Sequence, residues 1–195
     1  MDLATGIGTG HDPVWVRRLF VALACGGSAE ISISTLASDA GVTRETVSSY
    51  LAVLTRVFAI EDQSAWSSHL RSKAVLRTEG KRPLADPSLA VAALRADLQS
   101  LFGDLRYAGQ LFESQAVHDL RVYSGQLVRH ARVSAGAEVN ADIEYPGGPL
   151  LLVEIKLGFH EDVIEAALAS LARFAAKIDP ALHPDVVRLI ITGGA

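Results

Sequence analysis

The amino-acid sequence predicts an α/β protein in which a helical N-terminal part is followed by a C-terminal part organised around a β-hairpin. Residues 137–145 alternate between polar and apolar side chains, as a half-buried strand does. Residues 150–157 form a second strand-like segment, and a Pro-Gly-Gly-Pro turn separates the two. Apolar residues at helical spacing flank the hairpin on both sides, which predicts helices packed against a sheet.

The composition narrows the class of protein. The 195 residues are 49% hydrophobic and carry a formal net charge of −4, which indicates a compact globular chain rather than a disordered one. Because the balance of charge is acidic, any contact with nucleic acid must be local. The one cysteine, Cys25, can form no internal disulfide, and the first residues lack the pattern of a signal peptide. We therefore expect a cytoplasmic protein with no membrane partner.

Two aspartate-proline pairs predict where helices begin. Asp12 is a typical N-cap, and the helix that follows it is predicted to end at Gly26. Asp86 is predicted to cap another helix, which runs as far as Leu98. We place the domain boundary just before this second helix, so that residues 1–83 form one domain and residues 84–195 form the other.

A helix-turn-helix is predicted within the N-terminal domain. Ser34 is predicted to cap a short helix and Thr43 to cap the helix after it, with Gly41 in the turn between them. Ala37, Gly41 and Val47 have the spacing at which a small residue, a turn glycine and an apolar contact let two helices cross closely. This combination indicates a winged helix.

The N-terminal domain offers few side chains for DNA contacts. The outer face of the second helix offers Arg44 and Ser48, which is a small set for contacting bases or phosphates. A wing-like hairpin is expected around residues 61–66. A basic stretch then provides the best candidates for binding a nucleic-acid backbone, namely Arg71, Lys73, Arg77, Lys81 and Arg82. The alternative is a winged helix that serves only as a packing module.

The C-terminal domain is predicted to contain, in order, a helix, three strands, a helix and a strand. Its first helix begins at Gly109 and carries Glu113 beside an apolar stripe. A strand over residues 126–133 leads into the hairpin. A helix over residues 164–178 and a buried strand over residues 186–191 complete the domain.

The two strands of the hairpin can be paired so that apolar residues face each other. If paired residue numbers sum to 296, Ile143 lies opposite Val153, whereas a one-residue slip would place carboxylates against the core. This register puts Asp142 directly opposite Glu154, with Lys156 on the same face of its strand. Two carboxylates and a lysine are thus predicted to converge on one patch.

Such a patch suggests metal-dependent chemistry. Two neighbouring carboxylates raise each other's pKa unless a cation lies between them, so we expect Asp142 and Glu154 to bind Mg²⁺ or Mn²⁺. Lys156 would then orient an attacking water or neutralise charge developing on phosphorus. Glu113 either assists from its helix or only favours the helix dipole. The plainer interpretation of Glu154 and Lys156 is an ion pair at a strand end.

An ordered set of short motifs runs through nearly the whole chain: Leu36-Ala37 through Gly41, Val47, Tyr50-Leu51, Ala85-Asp86 with Leu89, Gly109-Gln110-Leu111-Phe112-Glu113, Glu138-Val139 and Val153-Glu154-Ile155-Lys156. With these motifs the chain resembles an uncharacterised domain found C-terminal to AAA-type ATPase modules in bacteria and archaea. That domain has a helix-turn-helix followed by a PD-(D/E)XK restriction-endonuclease-like core. The resemblance therefore implies the same α/β fold and a metal-dependent DNA nuclease, or a degenerate nuclease-like DNA-binding protein.

The chain departs from this family in two respects. The family pattern reads Glu-Val-Asp, whereas this chain has Glu138, Val139 and Asn140. Either Asp142 substitutes through a bulge or a shifted register, or the metal ligand has been lost. The ATPase module and its phosphate-binding loop are also missing, so no nucleotide is predicted. The alternative function is a non-catalytic regulatory or protein-interaction module that partners a separate AAA-type ATPase.

Overall fold

The computed structural model describes residues 12–67, 79–132 and 138–193. These residues form an α/β protein with a four-stranded mixed sheet. The chain divides into two compact units, Met1–Asp62 with Lys81–Gln110 and Gln63–Gly80 with Leu111–Ala195, which we call the first and second units. The units thus interleave along the chain, whereas the predicted domains follow one another. No helix in the described ranges is long and apolar enough to cross a membrane.

The elements from Leu105 onward follow the predicted order, whereas one helix before them, Leu98–Gly103, was not predicted. The helices of the first unit are α1 (Pro13–Gly26), α2 (Ile33–Ala40), α3 (Arg44–Arg56), α4 (Pro87–Leu94) and α5 (Leu98–Gly103). Helix α6 (Leu105–Ser124) has its first residues in the first unit and the rest in the second. The second unit continues with β1 (Val128–Arg132), β2 (Glu138–Glu144), β3 (Leu150–Lys156), α7 (Glu161–Ala175) and β4 (Val186–Thr192).

The caps of the first unit mostly agree with the prediction. The Asp12 side chain accepts a hydrogen bond from the Val14 amide, and Thr43 caps α3, as expected. Helix α2 is capped by Ser32 rather than Ser34, so it begins earlier than predicted. The helix that follows Asp86 stops at Leu94 instead of reaching Leu98, because the next residue turns into the left-handed conformation.

The turn between α2 and α3 has the predicted local geometry. Gly41 lies in the left-handed region with φ of 70°, and its amide donates to the Ala37 carbonyl at 2.9 Å. The side chain of Val47 is completely buried and Ala37 is buried too, as predicted for residues at a close helix crossing. Leu19 and Leu36 are fully buried in the same unit, so the turn is fixed by its backbone geometry and by a packed core.

We predict that Gly41→Val lowers the free energy of unfolding by about 1–3 kcal/mol, because a β-branched residue is strained at positive φ. The new Cβ would also lie 3.0 Å from the Arg18 guanidinium, which is flexible and can move aside. Gly103→Val is the control, since within the described residues no heavy atom lies within 4 Å of its Cβ position. Urea denaturation measures both variants. Equal stability of the two would contradict the strained-turn assignment.

The prediction of a wing-like hairpin over residues 61–66 is wrong for residues 64–66. The Trp66 amide donates to the His130 carbonyl at 2.7 Å, and the His130 amide donates to the Ser64 carbonyl at 3.0 Å. Ala65 accordingly forms a parallel bridge with His130 in β1. The physical reason is burial, because the Trp66 ring packs near Phe174 in the core of the second unit.

The sheet of the second unit has the strand order β1-β2-β3-β4. Strands β1, β2 and β3 pair antiparallel, and β4 pairs parallel to β3. Helix α6 packs through Ala116 and Val117 against one apolar cluster of the sheet, and α7 packs through Leu171 and Phe174 against the other. The prediction of a buried final strand is wrong, since Val187 in β4 is 44% exposed at the edge of the sheet.

Candidate functional site

The register of the β2–β3 hairpin differs from the predicted one by two residues. Asp142 lies opposite Leu152, not opposite Glu154, and Ala141 lies opposite Val153. The turn sets this register, because the Tyr145 amide donates to the Pro149 carbonyl at 3.2 Å. A two-residue slip keeps Ala141, Ile143 and Val153 together on one face, so the apolar pattern does not distinguish the two registers. Val139 is the exception, because it packs in the other apolar cluster of the sheet. The predicted direct pairing of two carboxylates is therefore wrong.

A β-bulge interrupts β2 at the centre of the candidate site. Arg129 pairs with Asp142 while Ala131 pairs with Val139, so β2 contains one more residue than β1 across this interval. The buried Gln63 side chain compensates for the irregularity: its amide donates to the carbonyls of Arg129 at 3.2 Å and of Asn140 at 2.8 Å. Beyond the bulge Val139 packs in the same apolar cluster as α7.

Asn140, which lies at the bulge, is next to β3. Its side-chain oxygen accepts a hydrogen bond from the Ile155 amide at 2.8 Å. Ile155 is the residue between Glu154 and Lys156, so Asn140 lies at the Glu-x-Lys motif on β3. The position at which the resembled family carries an acid therefore meets this motif with a neutral amide.

Asp142 belongs to a separate ion-pair cluster. Its carboxylate is completely buried, and one oxygen accepts from the Arg129 guanidinium at 3.0 and 3.2 Å. The same guanidinium binds Glu144 at 3.0 Å. Burial raises the pKa of Asp142 to about 7, although the positive charge of Arg129 acts in the opposite direction. The hydrogen bond from Arg129 lowers the pKa of the more exposed Glu144.

Glu154 and Lys156 form the second ion pair, at 2.8 Å. Glu154 is buried, whereas Lys156 is about one-third exposed. Burial raises the pKa of Glu154; Lys156 opposes this shift, and the charges of Glu113 and Glu138 add to it. Glu113 on α6 is thus near enough for its charge to act on Glu154. One oxygen of Glu154 is buried without a hydrogen-bond partner.

The four predicted catalytic residues therefore divide into two sets. Glu113 and Lys156 both act on Glu154, whereas Asp142 interacts with Arg129 and Glu144. Among the residues that the structure describes, no group of three or more His, Cys, Asp or Glu side chains is arranged to hold a metal ion.

Sequence reasoning missed Arg129 and Gln63. Arg129 was only one polar residue in a predicted strand, although a buried carboxylate such as Asp142 requires a cationic partner nearby. Gln63 lies 66 positions before Arg129 and 77 positions before Asn140, and no local pattern in the sequence connects them. A signal for Arg129 was available in principle, and none was available for Gln63.

The predicted DNA-binding residues occupy different environments. Arg44 and Ser48 are exposed on α3, and Arg44 donates to the Ser34 hydroxyl at 3.1 Å. Lys81 is only 4% exposed, and Arg82 binds the Ile31 carbonyl at 3.0 Å and the Asp62 carboxylate at 3.3 Å. Lys81 is thus buried, and the Arg82 guanidinium is engaged within the first unit. The other three basic residues lie outside the described residues: Arg71, Lys73 and Arg77.

One further arginine lies beside the α2–α3 turn. Arg18 is exposed, its guanidinium lies 5.0 Å from the centre of the Trp15 ring, and it approaches Gly41. Sequence reasoning assigned it no role. Together with Arg44 it places positive charge near both ends of the turn.

Comparison with known proteins gives one match. Residues 5–100 match the model of a family described as Domain of unknown function (DUF8612), so the chain is similar to that family over slightly less than half its length. No curated protein and no solved structure matches the chain. The matched range ends before β1, so it does not include the sheet.

Proposed function

We propose that the protein is a degenerate relative of metal-dependent nucleases, a module that binds DNA without cleaving it. The observation that carries this proposal is the state of the carboxylates in the sheet. Asp142 is buried against Arg129, Glu154 is paired with Lys156, and the neutral amide of Asn140 occupies the position beside the Glu-x-Lys motif.

The topology of the second unit supports a nuclease-like origin. Helix α6, three antiparallel strands, helix α7 and a fourth strand parallel to the third follow one another in the order that the resemblance implies for a restriction-endonuclease-like core. The Glu-x-Lys motif lies at the end of β3, and α6 brings Glu113 into electrostatic range of it. A fold does not by itself imply activity, because function depends on the side chains of the site.

The side chains do not fit a Mg²⁺ or Mn²⁺ ion well. Such an ion needs several oxygen ligands with free lone pairs around one point. One oxygen of Asp142 binds Arg129 and one oxygen of Glu154 binds Lys156, while the other oxygen of each carboxylate is buried without a hydrogen-bond partner among the described residues. These two remaining oxygens belong to residues that do not lie opposite each other in the hairpin. The oxygen of Asn140 already accepts from the Ile155 amide. We therefore infer that the cations of Arg129 and Lys156 provide the charge balance that a metal ion would otherwise provide.

The proposed DNA contact lies in the first unit. Helix α3 exposes Arg44 and Ser48, and Arg18 adds a second guanidinium beside the turn that precedes α3. A helix-turn-helix contacts the DNA backbone with side chains near the start of its second helix while that helix enters the major groove. A guanidinium suits this role because it presents a fixed fork of donors to phosphate oxygens.

We predict that binding to a labelled 20-base-pair duplex weakens steeply with salt, as expected when cationic side chains replace condensed counterions. Each of the variants Arg18→Ala and Arg44→Ala should reduce the slope of log K against log salt by about 0.9. Arg173→Ala, which removes an exposed arginine of α7, is the matched control and should leave the slope unchanged. Fluorescence anisotropy between low and physiological salt measures all four proteins.

Two results would contradict the proposal. If the wild type does not bind duplex DNA at low salt, the protein-interaction module that partners a separate AAA-type ATPase becomes the preferred function. If the wild type cleaves the duplex with Mg²⁺ or Mn²⁺, the module is an active nuclease and not a degenerate one.

A further inference from the structure

The two edge strands of the sheet, β1 and β4, differ in whether another segment hydrogen bonds to their outer side. The outer edge of β1 is covered by residues 64–66, which hydrogen bond with His130. The outer edge of β4 pairs with no strand in the part of the chain that the structure describes. Val187 and Leu189 of β4 are 44% and 38% exposed. A long apolar edge strand is a site at which another strand can pair, and proteins usually protect such edges.

The pairing of β4 with β3 determines which backbone groups point outward. The Leu150 amide donates to the Asp185 carbonyl, and the Gly193 amide donates to the Lys156 carbonyl, so odd-numbered residues of this segment direct their backbone groups toward β3. In a parallel ladder the alternate residues direct theirs to the other side. The outward donors and acceptors therefore belong to the even-numbered residues Val186, Arg188, Ile190 and Thr192.

These groups are self-complementary when two β4 strands run antiparallel. Antiparallel hydrogen-bonded pairs must join outward-facing residues, which here means even with even. Full overlap of the seven-residue strand is reached when Val186 pairs with Thr192 and Arg188 pairs with Ile190 of the other copy. Leu189 then faces Leu189 across the two-fold axis in a non-hydrogen-bonded pair. In the next possible register Arg188 would lie directly opposite Arg188 of the other copy, and the two like charges would repel each other.

The side chains favour the same arrangement. In the full-overlap register Val187, Leu189 and Ile191 form one apolar row that meets the identical row of a second copy. The only charge on the strand, Arg188, lies opposite the apolar Ile190 and two residues away from its own counterpart. From these observations we propose that the protein forms a two-fold symmetric dimer in which the β4 strands of two copies pair antiparallel, which makes one continuous eight-stranded sheet.

The first test is the dependence of the assembly on concentration. Sedimentation velocity of the wild type over a hundredfold concentration range should show conversion of monomer to dimer. Leu189→Lys, which opposes two ammonium groups at the axis, should raise the dimer dissociation constant by about tenfold or more. Tyr123→Lys, at a residue of α6 that is 86% exposed, is the matched control and should dimerise like the wild type. A wild type that stays monomeric throughout would overturn the proposal.

The second test identifies which residues of the two β4 strands lie opposite each other, and it does not depend on the stability of the Leu189→Lys variant. In a Cys25→Ser background, Leu189→Cys should form a cross-linked dimer on mild oxidation. The reason is that the Cα atoms of a non-hydrogen-bonded pair lie about 4.5 Å apart, which a disulfide can span. Arg188→Cys should not cross-link, since its counterpart would lie about 7–8 Å away on the diagonal. Cross-linking at position 188 but not at position 189 would overturn the proposed pairing.

Discussion

Arg129→Met is expected to lower the free energy of unfolding by about 3–5 kcal/mol at pH 8, the largest loss that we expect from one substitution in the second unit. Arg129 is the cation that donates to the completely buried carboxylate of Asp142. Methionine preserves much of the apolar volume of the side chain but removes both donors. The buried carboxylate is then left without a cationic partner, which costs far more than the ion pair itself contributes.

The loss of unfolding free energy in Arg129→Met should depend on pH, and the direction of this dependence follows from the pKa of Asp142. That pKa is raised to about 7 from the ordinary 3.8, so between these values the folded protein holds a proton that the unfolded chain releases. The associated stability is fully present below about pH 4 and is lost as the pH rises through 7. At roughly 1.4 kcal/mol per pKa unit, the wild-type contribution is about 4 kcal/mol. At pH 5 the carboxyl is neutral, so Arg129→Met should cost much less than at pH 8.

Two further variants separate this effect from other titrations. Asp142→Asn should flatten the decline in unfolding free energy between pH 5 and pH 8, whatever the histidines contribute. Glu144→Gln should leave that range nearly unchanged, because the pKa of Glu144 is lowered and its stabilisation is lost only as the pH falls through the acid range. Guanidinium denaturation at each pH provides the free energies. An Arg129→Met loss that is the same at pH 5 and pH 8 would assign the effect to packing.

Local features of the fold were predictable from the sequence. The caps at Asp12 and Thr43 and the left-handed glycine at position 41 depend on hydrogen bonds that span two to four residues. The alternation of β3 also assigned its residues to the correct faces of the sheet, since Val153 and Ile155 lie in one apolar cluster and Leu152 lies in the other. Such features are encoded within a short stretch of chain, so a pattern can reveal them.

The register of the hairpin was not predictable from the same pattern. Apolar alternation has a period of two, so it excludes a one-residue slip but cannot distinguish registers that differ by two. The hydrogen bond from Tyr145 to Pro149 selects the observed register. This small shift moves Asp142 away from Glu154 and changes the interpretation of the site from a metal pair to two separate ion pairs.

Contacts between distant segments were also outside the reach of the sequence pattern. The segment that contains Gln63 and Trp66 was expected to form a wing, but it lies along β1 and supplies the amide that satisfies two carbonyls at the bulge. Asn140, at this bulge, meets the Glu-x-Lys motif through a hydrogen bond from the Ile155 amide. Both results depend on packing between residues that are far apart in sequence, where local propensity carries little information.

Asn140→Asp is expected to have the largest effect on the chemistry of the site. The new carboxylate would lie beside Ile155 and near Glu154, whose pKa is already raised by burial and by the charges of Glu113 and Glu138. Without a metal the added negative charge should lower the melting temperature. Millimolar Mn²⁺ should restore it, because a ligand that binds only the folded state stabilises by about 2.7 kcal/mol at a hundred times its dissociation constant. The wild type should show no such specific response.

Two further substitutions in the Asn140→Asp background test which neighbouring residues contribute to the Mn²⁺ response. Adding Glu154→Gln should abolish the Mn²⁺ response, because it removes the carboxylate of the residue next to Ile155, whose amide binds the side chain at position 140. Adding Asp142→Asn should leave the response intact, because in the observed register Asp142 interacts with Arg129 and not with this site.

Any cleavage of duplex DNA that Asn140→Asp restores should disappear when Lys156→Ala is added, because the lysine stabilises developing charge. The Mn²⁺ response should remain, because lysine is not a metal ligand. Thermal shift and a plasmid-nicking assay measure the two properties separately. Cleavage by the wild type that requires Lys156 would instead mean that Asn140 and Glu154 already form a competent site. In that case the ion pair between Glu154 and Lys156 would have to open on binding.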